Sequence, residues 1–189
     1  MAQHRISAAS AATYSAVAVE SVVQLAELLR VRQSSVSFAE SCTGGRASAW
    51  LAAQPGVSDV YFGSVVAYAN SVKEQVLGVR PETIRQLGAV STRVAEEMAA
   101  GARRQLGTEW AGSVTGVAGP GGGSQFKPVG TVCFGVSGPG VEWSTMLRFD
   151  GERDEIQAQS ALTLIRILIA AVAGGVEQLE SEFGTRTGL

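Results

Sequence analysis

Along this 189-residue chain the apolar period switches repeatedly between helical and extended spacing, and that alternation narrows the fold more than any other feature. Val19, Val22, Val23, Ala26 and Leu29 recur at helical spacing and predict a helix ending near Arg32. A short strand follows from Ser35 to Ala39, and the chain turns sharply at Glu40-Ser41. Thr43 or a close neighbour starts a second helix, with its body at Arg46 to Ala53, and Gln54-Pro55-Gly56 stops it. Tyr61 to Ala69 is rich in aromatic and β-branched residues and reads as a strand. Asn70 caps a short helix carrying Lys73 and Leu77, ended by Gly78, and Pro81 to Leu87 forms one or two further turns. Ser91 is the N-cap candidate for a helix over Thr92 to Leu106, with Val94, Met98 and Ala102 on one stripe. Trp110 to Thr115 is an apolar strand. Val129 to Ser137 and Val141 to Phe149 form a hairpin across Gly138-Pro139-Gly140. Glu152 to about Glu182 is a long helix with Gly174-Gly175 as its candidate break. Helices alternate with strands early and a hairpin comes late. Both faces of a buried sheet need cover, so the order predicts an α/β protein: a three-layer α/β/α sandwich on a mixed β-sheet, one domain. Residues 1–15 read as a flexible leader and 16–189 as the domain.

Composition removes several classes of function. Hydrophobic residues are 46% and charged residues 17%, which is too apolar for disorder. Fifteen Lys+Arg against seventeen Asp+Glu leave a net charge of −2, which is no footprint for nucleic acid or anionic lipid. The longest apolar stretch, Ala161 to Ala173, is interrupted by Thr163 and Arg166 and falls short of the ~20 residues of a membrane span. Nor does the N-terminus carry a signal-peptide core, so the default expectation is a cytoplasmic protein.

Two residue counts narrow the chemistry further. Cys42 and Cys133 are the only cysteines and His4 is the only histidine. A disulfide framework, a zinc site, a Ser-His-Asp triad and a Cys-His pair are therefore set aside, and no metal or organic cofactor is expected. A hydrolase built from this chain would take its general base from lysine, a carboxylate or tyrosine.

Four constellations could carry chemistry. The first is Ala39-Glu40-Ser41-Cys42-Thr43-Gly44-Gly45, at a strand-to-helix corner where free amides can hold a phosphate or an oxyanion. Ser41 there is a candidate nucleophile with the amides of Cys42 to Gly44 nearby. Equally, Ser41 or Thr43 could simply cap the helix. Cys42 is the weaker nucleophile candidate, and Glu40 could position Lys73 or a substrate cation. The second is Tyr68-Ala69-Asn70-Ser71-Val72-Lys73. A lysine sheltered from water loses basicity and can act as a base, although most lysines on short helices are solvated. Without a usable histidine, Ser-Lys is among the few remaining ways to activate a serine.

The third constellation is the run from Thr115 and Gly116 through Gly119 and Gly122 to Lys127, within a stretch holding seven of the 23 glycines. Glycines let amides approach a ligand and Lys127 could meet a phosphate, but a long structural turn accounts for the pattern too. It matches neither a Walker loop nor a dinucleotide fingerprint. The fourth is Asp150-Gly151-Glu152-Arg153, where Asp150 is an N-cap candidate and Arg153 either a solvated residue or an anion contact.

Together these segments resemble one known family. AESCTGG at 39–45, PGVS at 55–58, YANSVK at 68–73, LGV at 77–79, GAVS at 88–91, VTGVAGPGGG at 114–123 and KPVGTV at 127–132 are similar to the CinA C-terminal domain. They run in the same order from roughly Val19 to Ala173. The stand-alone members of that family are nicotinamide-nucleotide amidases of the PncC type. The resemblance implies hydrolysis of nicotinamide mononucleotide to nicotinic acid mononucleotide and ammonia, in pyridine-nucleotide recycling. It implies Ser41 as nucleophile and Lys73 as base, with Tyr68 beside them. Substrate contacts are expected from Glu40, Cys42, Thr43, Gly44, Asn70, Thr115, Gly116, Gly119, Gly122, Lys127 and Arg153. The partner implied is a small-molecule nucleotide, with a homo-oligomer by analogy. Gln157 departs from the pattern, since many relatives carry a basic residue there. The rival expectation is a nucleotide-binding or regulatory module that keeps the pocket without turnover.

Overall fold

The computed structural model describes residues 5–6 and 11–185. Its elements in chain order are β1 (Arg5–Ile6), α1 (Ala11–Val31), β2 (Val36–Glu40), α2 (Arg46–Ala52), a 3-10 turn (Val57–Asp59), β3 (Tyr61–Val66), α3 (Asn70–Gln75), α4 (Pro81–Leu87), α5 (Thr92–Leu106), β4 (Trp110–Gly116), β5 (Thr131–Gly138), β6 (Val141–Phe149) and α6 (Arg153–Phe183). The sheet runs β1-β6-β5-β4-β2-β3. Strands β3, β2 and β4 are mutually parallel, the β4–β5–β6 meander is antiparallel, and β1 adds parallel to β6. The mixed sheet with helices on both faces is the expected architecture.

Two apolar layers hold it together. On one face Val36 and Phe38 of β2, Val114 of β4, Phe134 of β5 and Trp143 of β6 pack with Leu25 and Leu29 of α1 and Leu164, Ile165 and Leu168 of α6. On the other, Ala39 and Ala111 meet Val94, Met98 and Ala102 of α5, the stripe read from the sequence. Small residues set the spacing. A Cβ at Gly112 would lie 2.7 Å from Leu168 Cδ1, so only glycine lets α6 seat this closely on β4. Across the sheet, a Cβ at Gly135 would lie 2.5 Å from the Ala95 carbonyl of α5. Helix α6 is long and apolar enough to cross a membrane, which the interrupted Ala161–Ala173 stretch had not suggested, yet 67% of its apolar window is buried inside the domain. Gly175 breaks it at φ 64, ψ −145, as Gly174-Gly175 anticipated.

Several boundaries move. Helix α1 begins at Ala11, so residues 11–15 are helical rather than leader, and Arg5–Ile6 pair with β6; the rest of the leader lies outside the described residues. Alanine is the strongest helix former, and an Ala-rich run has no apolar stripe to announce it. Strand β3 ends at Val66 rather than Ala69, because Ala67 and Tyr68 turn their carbonyls toward Lys73. Ala69 rather than Asn70 is the N-cap of α3. Glu152, not Asp150, starts α6, in a capping box with Glu155.

Candidate active site

The chemistry collects where β2 and β3 end side by side at their carboxyl termini, with β4 flanking β2. Connections leave β2 toward β3 and return past it to β4, so a crevice opens there as in other open parallel sheets. Ser41 is the first residue past β2, and its amide still donates to Val114 O at 3.0 Å, which extends the ladder by one bond. Lys73 comes from the next parallel strand, one short helix beyond β3. Its side chain reaches back, 1% exposed, and places Nζ 3.0 Å from Ser41 Oγ, 2.8 Å from Ala67 O and 3.4 Å from Tyr68 O.

That arrangement has a definite polarity. No carboxylate pairs with Lys73 among the described residues. Burial therefore pulls its pKa below the ordinary lysine value, against a smaller opposing effect of Cys42. A neutral amine has two N–H groups and one lone pair. When neutral, the amine can give both N–H groups to the Ala67 and Tyr68 carbonyls and turn its lone pair to the Ser41 hydroxyl. Ser41 itself is 8% exposed, shielded without being sealed.

Glu40, expected to position Lys73 or a substrate cation, makes no hydrogen bond or ion pair to Lys73 among the described residues. Fully buried, its carboxylate accepts from Thr43 Oγ1 at 2.6 Å, Ala47 N at 3.2 Å, Ser48 N at 2.8 Å and the Ser48 hydroxyl. It thus caps α2 from the strand before it, while Gly45 at the N-cap makes no side-chain bond. Thr43, a capping candidate by sequence, is a ligand of that carboxylate instead. Ser41 does not cap the helix either; its hydroxyl is on Lys73. Cys42 is buried with its thiol pushed up to about 12 by desolvation, so it is protonated at neutral pH and is no nucleophile.

The remaining expected residues divide. Tyr68 meets the lysine only through its backbone; its ring is 61% exposed and its hydroxyl accepts from Arg153 at 2.8 Å. Arg153 also donates to Gly119 O at 2.6 Å, joining the end of β3 to the glycine-rich loop across the lip of the crevice. Gly44, Asn70 and Gly122 are exposed, with Gly44 at φ 64 inside the nucleophile turn. Thr115 and Lys127 are committed elsewhere: the Thr115 hydroxyl donates to Ala89 O at 2.9 Å and the Lys127 ammonium to Leu87 O. Both anchor the loop to the connection after α4, so the positive charge of Lys127 is already engaged by a helix C-terminus. Gly116 packs on β5, where a Cβ would lie 2.8 Å from Thr131 O. Gln157, noticed in sequence only as a departure, donates to Cys42 O at 2.7 Å. No short-range signal connects residues 115 positions apart.

A buried amine against a serine at the carboxyl end of a doubly covered sheet defines an α/β/α domain with a Ser–Lys pair. The chain belongs to the CinA C-terminal domain family, whose model matches residues 18–172. It is 51% identical over 126 residues to a CinA-like protein of Synechocystis sp., covering 67% of this chain and 30% of that protein. To a CinA-like protein of Mycolicibacterium vanbaalenii it is 45% identical over 153 residues, 80% of this chain and 36% of the relative. The chain thus spans about a third of the length of these curated relatives. Among solved structures, the competence damage-inducible protein A of Klebsiella pneumoniae superposes with TM-score 0.80 at 32% identity, over 83% of this chain and 98% of that one. The competence/damage-inducible protein of Agrobacterium tumefaciens gives 0.79 at 36%, over 81% and 94%.

Proposed function

We propose that the chain is an acyl-transfer amidase that hydrolyses nicotinamide mononucleotide to nicotinic acid mononucleotide and ammonia, in cytoplasmic pyridine-nucleotide recycling. The observation that carries this reading is the 3.0 Å approach of Lys73 Nζ to Ser41 Oγ, with no carboxylate paired to the amine among the described residues. Neutral Lys73 takes the Ser41 proton as Oγ bonds to the carboxamide carbon. The Thr43 amide, which has no backbone acceptor among the described residues, and the neighbouring Cys42 amide receive the developing oxyanion. The C–N bond then breaks, and protonated Lys73 gives its proton to the leaving nitrogen, so ammonia departs neutral. Water attacks the resulting ester; Lys73 accepts its proton and returns it to Ser41 Oγ as the acid leaves.

The nucleotide phosphate is assigned to the rim, where Arg153 and the turn from Pro120 to Gly122 face solvent. Binding energy from that remote phosphate would be used to orient the amide. Ammonia release from nicotinamide mononucleotide and from free nicotinamide tests both parts. The expected outcome is turnover of the nucleotide at least 100-fold faster in kcat/KM. Equal rates would remove the phosphate site, and no release from either would remove the amidase.

A further inference from the structure

The Cys42 and Thr43 amides of the nucleophile turn belong to peptides whose carbonyls are both held. Ser41 O accepts from Gly44 N at 3.1 Å, and Cys42 O accepts from Gln157 Nε2 at 2.7 Å. A peptide is planar and trans, so its N–H points opposite to its C=O. Fixing Ser41 O therefore aims the Cys42 N–H, and fixing Cys42 O aims the Thr43 N–H. The first hold is local, closing within the turn through Gly44 in the left-handed region. The second is not. It is made by a half-buried side chain on α6, 115 residues along the chain.

We infer that Gln157 is a positioning residue for the acyl-transfer step: its amide clamps the Cys42–Thr43 peptide so that the Thr43 N–H points into the oxyanion position. This rests on the amidase reading above. The clamp stands on a rigid support. Helix α6 is locked to α2 next door through Arg46, which pairs with Asp154 and donates to Asp154 O at 3.0 Å. One residue before Asp154, Arg153 ties the same helix turn to the opposite lip of the crevice. Gln157 itself touches neither Ser41 nor Lys73. What it controls is the direction of a backbone dipole, and a neutral donor is sufficient for that.

The test compares Gln157→Leu, Gln157→Glu and Gln157→Lys with the parent chain, after thermal melts establish that each is folded. Leucine cannot donate and glutamate repels the carbonyl, so kcat for nicotinamide mononucleotide should fall 10- to 100-fold with KM within a factor of two. Removing one oxyanion donor outright costs ~10²–10³ in a well-studied protease, which bounds the effect of misaiming it. Lysine, a long donor, should restore kcat to within about threefold. Unchanged kcat in the leucine variant overturns the inference, as does a rise in KM alone, which would make Gln157 a substrate contact. A lysine variant as impaired as the leucine one overturns it too.

Labelling of Ser41 by phenylmethanesulfonyl fluoride separates this from the substrate assignment. That reaction needs the same donors and no nucleotide. A parent chain that labels but releases no ammonia defeats the substrate reading, and the labelling rates of the three variants then decide the role of Gln157. A parent chain that does neither defeats both.

Discussion

Helices α2 and α5 begin in opposite ways, and the contrast explains where the reactive groups come from. Helix α5 closes its own start: Ser91 Oγ accepts from Val94 N at 3.3 Å and donates to Gly88 O at 3.1 Å. Helix α2 has only Gly45 at its N-cap, at φ 96, and its first amides go back to Glu40 on the preceding strand. A Ser cap places its oxygen on the helix and uses it there. A carboxylate reaching up from the sheet satisfies the helix start from below and leaves the intervening turn, Ser41 to Gly44, free of that duty. The serine hydroxyl at α5 is consumed by structure; the one before α2 is left for Lys73.

Breaking the reactive side of this contrast at its centre should give the largest effect. Lys73→Ala removes the only base hydrogen-bonded to Ser41 Oγ among the described residues, and kcat should fall by about 10³–10⁴ or more, the scale seen when a nucleophile's partner is lost. Lys73→Met fills the same space and should be equally inactive while melting higher. A buried amine without a carboxylate partner is a stability cost that an apolar isostere removes. For a domain of this size each kcal/mol is worth about 2–4 °C in Tm. Near-normal ammonia release by either variant would sink the mechanism, and a lower Tm for the methionine variant would show the amine to be structural.

Glu40→Ala strikes the support rather than the chemistry. It strands the Ala47 and Ser48 amides and two hydroxyls in a buried site. With ~1–3 kcal/mol for each buried group left unsatisfied and partial relaxation, a loss of about 3 kcal/mol is expected, roughly 10 °C in Tm. Turnover should fall at least tenfold in protein that is still folded, because the turn loses its anchor at Thr43. Glu40→Gln keeps the shape and should fall between the two. A Glu40→Ala protein with parental Tm would show that the carboxylate is not what starts α2.

The contrast also marks what could be read from residues in order. The Ser91 cap, the α5 stripe, the Gly175 break and the Ser41–Lys73 pair were legible, because each rests on local spacing or on elimination by residue count. A motif on one strand end and a motif after the next parallel strand necessarily share one edge of the sheet. Glu40 and Lys127 were expected at the substrate and Tyr68 beside the catalytic pair, and in the structure all three side chains satisfy donors or acceptors of the protein itself. Those bonds were not legible in the sequence for one reason. A polar residue in a motif carries no mark of whether its partner is the substrate or a backbone group brought near by the fold. Gln157 is the converse, a side chain without a motif whose partner only the packing of α6 on α2 supplies.

Acidity offers a milder probe of the reactive side. Lys73 must be neutral to accept a proton, and burial lowers its pKa from the ordinary value of 10.5. Below that lowered pKa, kcat/KM should rise about tenfold per pH unit and then level off before pH 10.5. Stability follows the same group. Between the folded pKa and 10.5 the unfolded chain binds more protons than the native one, so this group's contribution to stability improves as pH rises through that window. The Tm advantage of Lys73→Met should accordingly shrink as pH approaches 10.5. A flat rate profile across that range would show that this amine is not the base, and an advantage that grows with pH would mean that it is charged in the resting site.

The smallest effect belongs to the other helix start. Ser91→Ala removes a cap that satisfies its own helix and touches nothing in the crevice. Loss of a Ser cap costs typically about 1 kcal/mol, so Tm should drop about 2–4 °C. Activity at 25 °C should stay within a factor of two. Two serines that each lie just ahead of a helix would then differ by three orders of magnitude in their effect on turnover when Ser41→Ala is measured beside Ser91→Ala. If Ser91→Ala cost as much activity as stability, α5 would be coupled to the site through β4 and the Thr115–Ala89 bond. The division into a self-contained start and an open one would no longer hold.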